Sequence, residues 1–477
     1  MSVNHTRIEL PKQLSKEKNV EPCSFYQNLR FTPNNGSSIV LGNSTQTSII
    51  ELTPQSIINF SKLKLQFTRS AVVAAPAGTI PTICAGSNYY LLNNAFCSFI
   101  NRIQIFDSKN LILLDMNNCE IVSKSLAFNK TFGNRTEVNC FNFSGIRSTL
   151  DPIPSSNPGW NPYYFPINQP VTTIDEPSNV EYSNAGANLS AKNYNLNLSD
   201  LVYDSILSLD RNIYSANSIF IKITWNPISK VSFGTIAWAG TSGTGAFAGP
   251  GGVPVTFALS NIQINMYSEA NPILANIIKM NPQEETIIYA EPQLNVLTFG
   301  GSTQQSSMRI ISNALPGEAR LYKMYYWLAK GDATYKINNT SNLLTSTTNG
   351  VQMVCGAIAQ SWRLYVNNNL ILDLNISVNQ DDLELVKNQY ATNSFKSAGC
   401  YYENGAVSYV FGSNYSSKDE YSQMTLKGVD FNQNGEIILQ NLFSINGAQD
   451  LTHYAMFVVL RCLYIQNGMF SWYPSVR

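Results

Sequence analysis

The chain has 477 residues, enough for two domains of ordinary size plus extensions, and 44% of them are hydrophobic, so real cores can be buried. Charged residues make up only 13%, with Lys+Arg 31 balancing Asp+Glu 31. That balance argues against sequence-specific nucleic-acid binding and against a polybasic membrane-surface protein, while a sparsely charged, neutral surface favours association with other copies.

Residues 1–45 read as an N-terminal arm, with Lys12, Lys16 and Lys18 and little periodicity. The opening Met1-Ser2-Val3-Asn4-His5 is polar, so no signal peptide is expected, and no run of 18 apolar residues suggests a transmembrane segment. A first β-domain is expected over 46–268. Leu63-Lys64-Leu65-Gln66-Phe67 alternates with period two, as a half-buried strand does. Ile103–Phe106 and Leu111–Leu114 flank Asp107-Ser108-Lys109-Asn110, a hairpin turn. Residues 150–190, with Pro152, Pro154, Pro158, Pro162 and Pro166, read as a long loop. Strand character resumes at Ile219–Trp225, lapses through the Gly-rich 240–252 region, and returns at Ile262–Met266.

Glu269–Met280 carries Ile273, Leu274, Ile277 and Ile278 at helical spacing, which predicts a linker helix within 269–285. A second β-domain follows over 286–477, with strands at 286–289, 321–327, 362–366, 436–439 and 454–465. Asn, about one residue in nine, supplies turns between short strands. Many short strands with turn-rich connections predict an all-β sandwich or barrel.

An internal repeat sharpens this reading. Residues 103–113 (Ile-Gln-Ile-Phe-Asp-Ser-Lys-Asn-Leu-Ile-Leu) match 362–372 (Trp-Arg-Leu-Tyr-Val-Asn-Asn-Asn-Leu-Ile-Leu) in apolar phase. A helix-like segment follows each copy, 120–126 and 382–388, the second with Asp381 or Asp382 as its cap. The separation is near half the chain, so the repeated unit is a whole domain and not a solenoid turn.

Chemistry is scarce. The two histidines, His5 and His453, give a catalytic triad or His-rich metal site little to draw on. Gly243-Thr244-Gly245-Ala246-Phe247-Ala248 mimics a dinucleotide loop, but Gly249-Pro250 would break the helix that loop requires. Asp381, Asp382 and Glu384 read as a solvated helix start before they read as a cation site. The eight Cys, at 23, 84, 97, 119, 140, 355, 400 and 462, lack zinc or redox spacing and read as buried thiols. No catalytic, cofactor-binding or metal-ligating residue is nominated, no cofactor is expected, and the chain reads as a non-enzyme.

With these segments in view, the chain resembles the double jelly-roll major capsid proteins of virophages, polinton-like viruses and the adenovirus hexon lineage. The resemblance rests on tandem duplication, on Pro54–Leu65 as entry to the first sandwich, and on the repeated hairpin. It also rests on Leu198-Ser199-Asp200-Leu201-Val202-Tyr203 and on Leu315-Pro316-Gly317-Glu318-Ala319-Arg320 before an aromatic strand. It implies two tandem eight-stranded jelly-roll sandwiches with long loops and a few short helices, and homotrimers that tile an icosahedral virion shell through lateral contacts. It further implies penton and minor capsid proteins as partners, and an N-terminal arm facing genome or an internal membrane. The competing readings are a single-jelly-roll capsid protein with a protruding domain, a β-sandwich adhesin or carbohydrate-binding protein, and a glycoside hydrolase on a β-sandwich.

Overall fold

The computed structural model describes residues 26–42, 44–70, 89–93, 96–119, 122, 180–184, 191–202, 204–227, 231–234, 257–280, 285–299, 305–311, 319–330, 359–374, 407–410, 429–430, 436–443 and 451–472. Among the described residues, eight strands form the main path of two sheets in the first half, beside several shorter ones: β1 (Tyr26–Phe31), β2 (Gln46–Leu52), β3 (Lys64–Arg69), β4 (Ile100–Asp107), β5 (Ile112–Met116), β6 (Lys192–Asn197), β7 (Ile219–Trp225) and β8 (Phe257–Glu269). They pair antiparallel in two sheets, ordered β1-β8-β3-β6 and β2-β7-β4-β5. Helix α1 (Pro272–Met280) follows.

The second half repeats the plan. Its strands are β9 (Glu285–Phe299), β10 (Gln305–Ile311), β11 (Ala319–Lys330), β12 (Ala359–Val366), β13 (Asn369–Leu374), β14 (Val407–Val410), β15 (Glu436–Phe443) and β16 (Leu451–Gln466). The sheets are ordered β9-β16-β11-β14 and β10-β15-β12-β13. Adding eight to every strand number of the first half gives the second half. This shared winding rules out an unrelated protruding domain as the second half.

Local sequence explains the strands. In β7, Ile219, Ile221, Ile223 and Trp225 are fully buried while the residues between them are not, so the period-two pattern buries one face. The inner faces meet around Phe67 of β3. Its ring lies 4.7 Å from Tyr194, 5.5 Å from Phe99 and 5.2 Å from Trp225, joining one sheet to the other. The Trp225 indole N–H donates to Ser48 Oγ at 2.8 Å, so its polar edge is satisfied inside the core.

The sequence repeat falls on equivalent places, the β4–β5 and β12–β13 hairpins. In the first, Asp107 Oδ1 accepts the backbone N–H groups of Lys109 and Leu111, each at 2.8 Å, and Asn110 has a φ of 63°. In the second, Asn367 and Asn368 both take positive φ, 51° and 65°, as a two-residue primed turn requires. Beyond β5, a helical turn starts at Cys119, with Val122 N–H donating to the Asn118 carbonyl at 3.0 Å. The segment expected to match it, with Asp381, Asp382 and Glu384, lies outside the described residues.

One boundary differs from the sequence reading. Residues 26–31 and 39–41, assigned above to an arm, pair with β8 and complete the first sandwich. β1 is an edge strand whose described side chains are exposed or half-buried, so its apolar pattern is faint.

Register fixes the ends. Arg69, last in β3, pairs with Lys192 at the start of β6 and with Leu259 near the start of β8. The β3–β4, β5–β6 and β7–β8 connections therefore leave from one end, the distal end. Three strands within them, Tyr89–Asn93, Val180–Asn184 and Ser232–Gly234, join into a separate small sheet there. Lys330 pairs with Leu451 and Tyr326 with Val407, so the end of β11 and the starts of β16 and β14 coincide in the second sandwich as their counterparts do in the first. The opposite, basal end holds the short hairpins, α1 and the β6–β7 connection.

Candidate functional site

The most developed chemistry among the described residues lies in the seam between the sandwiches. From Tyr454 to Leu463 every residue of β16 is buried, and so is every residue of β11 from Leu321 to Tyr325. Unbroken burial means that both faces of this sheet are covered. One face meets its own partner sheet. The other meets the first half, where Ile206, Leu207 and Leu209 of the β6–β7 connection join Tyr322, Tyr325, Met456, Val458 and Leu460 in one apolar cluster. At the edge, β5 lies against β9.

Asp204 enters this seam on a firmly held turn. Ser205 Oγ donates to the Val202 carbonyl at 2.6 Å and accepts from Leu207 N–H at 3.2 Å. Flanking Leu201, Val202, Ile206 and Leu207 are buried and anchor the turn. On the facing strand a bulge at Tyr322 shifts the register between Leu321 and Lys323. The Asp204 carboxylate accepts the Tyr325 hydroxyl and lies 3.6 Å from Lys323 Nζ, which also sits 5.1 Å from the Tyr322 ring centroid. Asp204 is 1% exposed and Lys323 6%. A charge so deeply placed is tolerable because it is matched across the seam.

A second buried pair lies nearer the base. Arg461 Nη1 is 2.5 Å from Glu291 Oε2, and the guanidinium stacks 3.9 Å from the Trp472 ring. Gln293 donates to Glu291 Oε1 at 2.8 Å. Burial pushes the Glu291 carboxyl above the ordinary range, an effect that Arg461 opposes and Asp115 of the first half reinforces. Asp115 itself is forked by Arg102, with Nε at 2.7 Å and Nη2 at 2.5 Å, and this raises the Arg102 pKa. Below these groups Ala216 N–H donates to the Gly468 carbonyl at 2.8 Å, and Lys109 Nζ approaches Met469 Sδ at 3.5 Å. Together these contacts tie the β4–β5 hairpin and the β6–β7 connection to the base of the second sandwich. The chemistry available is adhesion between two rigid units.

The remaining residues weighed from sequence sit elsewhere. His453 lies within β16, paired with Leu297 and Leu328. His5, Gly243–Ala248, Asp381, Asp382 and Glu384 fall outside the described residues. Cys119 and Cys462 are buried, and Cys119 Sγ donates to the Met116 carbonyl at 3.2 Å. The seam charges leave a trace in the sequence, since Lys323 and Arg461 are charges set among apolar neighbours in their strands.

No protein-family model matches the chain. No curated protein matches it either. Solved structures do. The Faustovirus major capsid protein aligns with a TM-score of 0.54 at 9% identity, covering 94% of this chain and 91% of that one. A chain of the Sputnik virophage structure aligns with a TM-score of 0.52 at 12% identity, covering 99% and 93%. Its fold is the double jelly roll. Both alignments span the two sandwiches of the double jelly roll, so the likeness extends over the whole winding. Among the described residues, no helix is long and apolar enough to cross a membrane.

Proposed function

We propose that this chain is a non-enzymatic major capsid protein that assembles into trimeric, pseudo-hexagonal capsomers and tiles an icosahedral virion shell. The observation that carries this reading is the duplication: one polypeptide holds two units of identical strand order, joined edge to face. In the seam, the β5 edge and β6–β7 connection of unit one cover the β9-β16-β11-β14 sheet of unit two. The equivalent sheet of unit one keeps a partly exposed outer face. Gln263 donates to Gln66 at 2.9 Å, and Asn265 donates to Gln66 at 3.0 Å and to Asn195 at 3.4 Å, forming an uncharged amide ladder. Because these amides satisfy one another, another surface can cover them at little desolvation cost.

Unit two carries the equivalent edge strand, β13. Edge two of one copy against face one of the next is a heterologous contact, which closes into a ring of three when each copy is rotated by a third of a turn from the last. Three chains would present six similar units, a shape suited to hexagonal tiling. Residues 26–269 and 285–472 are the proposed building blocks, joined through α1. Penton and minor capsid proteins are the further partners this role requires, and the virion is its location.

Light scattering on the purified protein tests the reading. Three chains per particle, stable to dilution and hexagonal in projection by electron microscopy, are expected. A persistent monomer would overturn it.

A further inference from the structure

Helix α1 is short and poorly covered. Its start is well specified: Asn271 Oδ1 accepts Ile273 N–H at 3.0 Å, Pro272 fills the first helical position, and the Asn271 carbonyl accepts Ala275 N–H at 2.8 Å. Asn271 N–H is held by Glu269 Oε1 at 2.9 Å. Nine residues, however, fall short of the roughly 12–15 at which a helix begins to hold itself in water, so α1 depends on packing. Leu274 alone among its residues is buried. Ile273, Ile277 and Met280, spaced i, i+4, i+7, share a different side. Ile273 is 54% exposed and Met280 79%, two of the most exposed large apolar side chains described.

The strand pairing brings a cover within reach. Tyr26, the first residue of β1, pairs with Glu269, the last residue of β8. Residues 1–25 therefore enter the fold three positions before α1 begins, at the basal end. They carry Ile8, Leu10, Leu14 and Val20 between charged residues. Extended chain advances about 3.3 Å per residue, and nine helical residues span roughly 13 Å, so a handful of residues suffices to run the length of α1.

We infer that residues 1–25 dock in cis on the Ile273–Ile277–Met280 face of α1, where Ile273 and Met280 are exposed and Ile277 half-buried, and complete its apolar packing. This holds whether or not the chain forms capsomers.

The test uses the full-length protein with Ile277→p-benzoylphenylalanine, assembled from a mixture of ordinary and 15N-labelled chains. Irradiation followed by peptide mass spectrometry is expected to join position 277 to a peptide from residues 1–25 of the same isotopic label. Crosslinks joining light to heavy chains would overturn docking in cis, and crosslinks avoiding 1–25 would overturn docking altogether. Deleting residues 1–24 is expected to speed amide hydrogen exchange in 273–280 at least tenfold while β7 and β16 stay protected; unchanged exchange in α1 also overturns the inference. The number of chains per particle is read separately by light scattering, so failure of the capsomer reading leaves this result interpretable.

Discussion

Replacing Asp204 with Asn probes whether the seam is a designed joint or a passive contact. The substitution keeps an acceptor for the Tyr325 hydroxyl but removes the charge beside Lys323, whose side chain is almost wholly buried. Taking one partner from a buried ion pair costs about 3–5 kcal/mol, because the other charge stays desolvated. The Tyr322 ring near Lys323 Nζ offsets some of this, since a cation over an aromatic face is worth about 0.5–2 kcal/mol. A net loss of about 2–4 kcal/mol is expected for Asp204→Asn. Asp204→Asn combined with Lys323→Met should recover most of it, as the remaining groups are neutral and of similar volume. Urea unfolding, followed by near-UV circular dichroism, measures both. Because the lost contact joins two units, the single variant should also split one transition into two. A double variant as unstable as the single one, or a single variant within about 0.5 kcal/mol of the parent, would refute the argument.

Gly468→Ala should loosen the base: φ is +74° there, and an added Cβ would fall 2.7 Å from Ala216 N and from the Tyr214 ring, so a lowered melting temperature is expected in calorimetry. Phe67→Ala removes the ring that bridges the two sheets of the first sandwich and should cost about 3–5 kcal/mol by denaturant unfolding. Glu291 has a folded pKa above its unfolded one, so its own contribution favours the fold on the acid side and weakens as pH rises from the ordinary glutamate range through the folded value. Stability measured against pH should therefore rise less steeply across that window in the parent than in Glu291→Gln, which lacks this opposing term.

How much of this was legible in the sequence varies with burial. β7 and β3 announced themselves because one face of each is packed and the other wet, so the alternation survives in the residue types. The duplicated hairpin was legible because its turn demands particular residues: Asn110, Asn367 and Asn368 all take positive φ. β1 was missed because an edge strand with exposed side chains leaves almost no apolar pattern. The seam was missed for a different reason. Asp204 and Lys323 are far apart in sequence, and only the placement of one sandwich against the other brings them together. The lone Lys323 among Leu321, Tyr322, Met324 and Tyr325 was still a clue, since a charge inside such a strand must find a counterion once the sheet is covered on both sides.

The separation of the two ends has a practical consequence for engineering. The joints at Arg461, Ala216 and Lys109 sit low on the molecule, whereas the β3–β4, β5–β6 and β7–β8 connections depart from the opposite rim. Lengthening a connection there costs little loop-closure entropy, since that cost grows only with the logarithm of length. A foreign sequence grafted between β5 and β6 would start and end at that rim, so seam contacts such as Arg461–Glu291 are expected to survive it. The architecture thus separates the strand ends that carry long insertions from the contacts that join the two sandwiches.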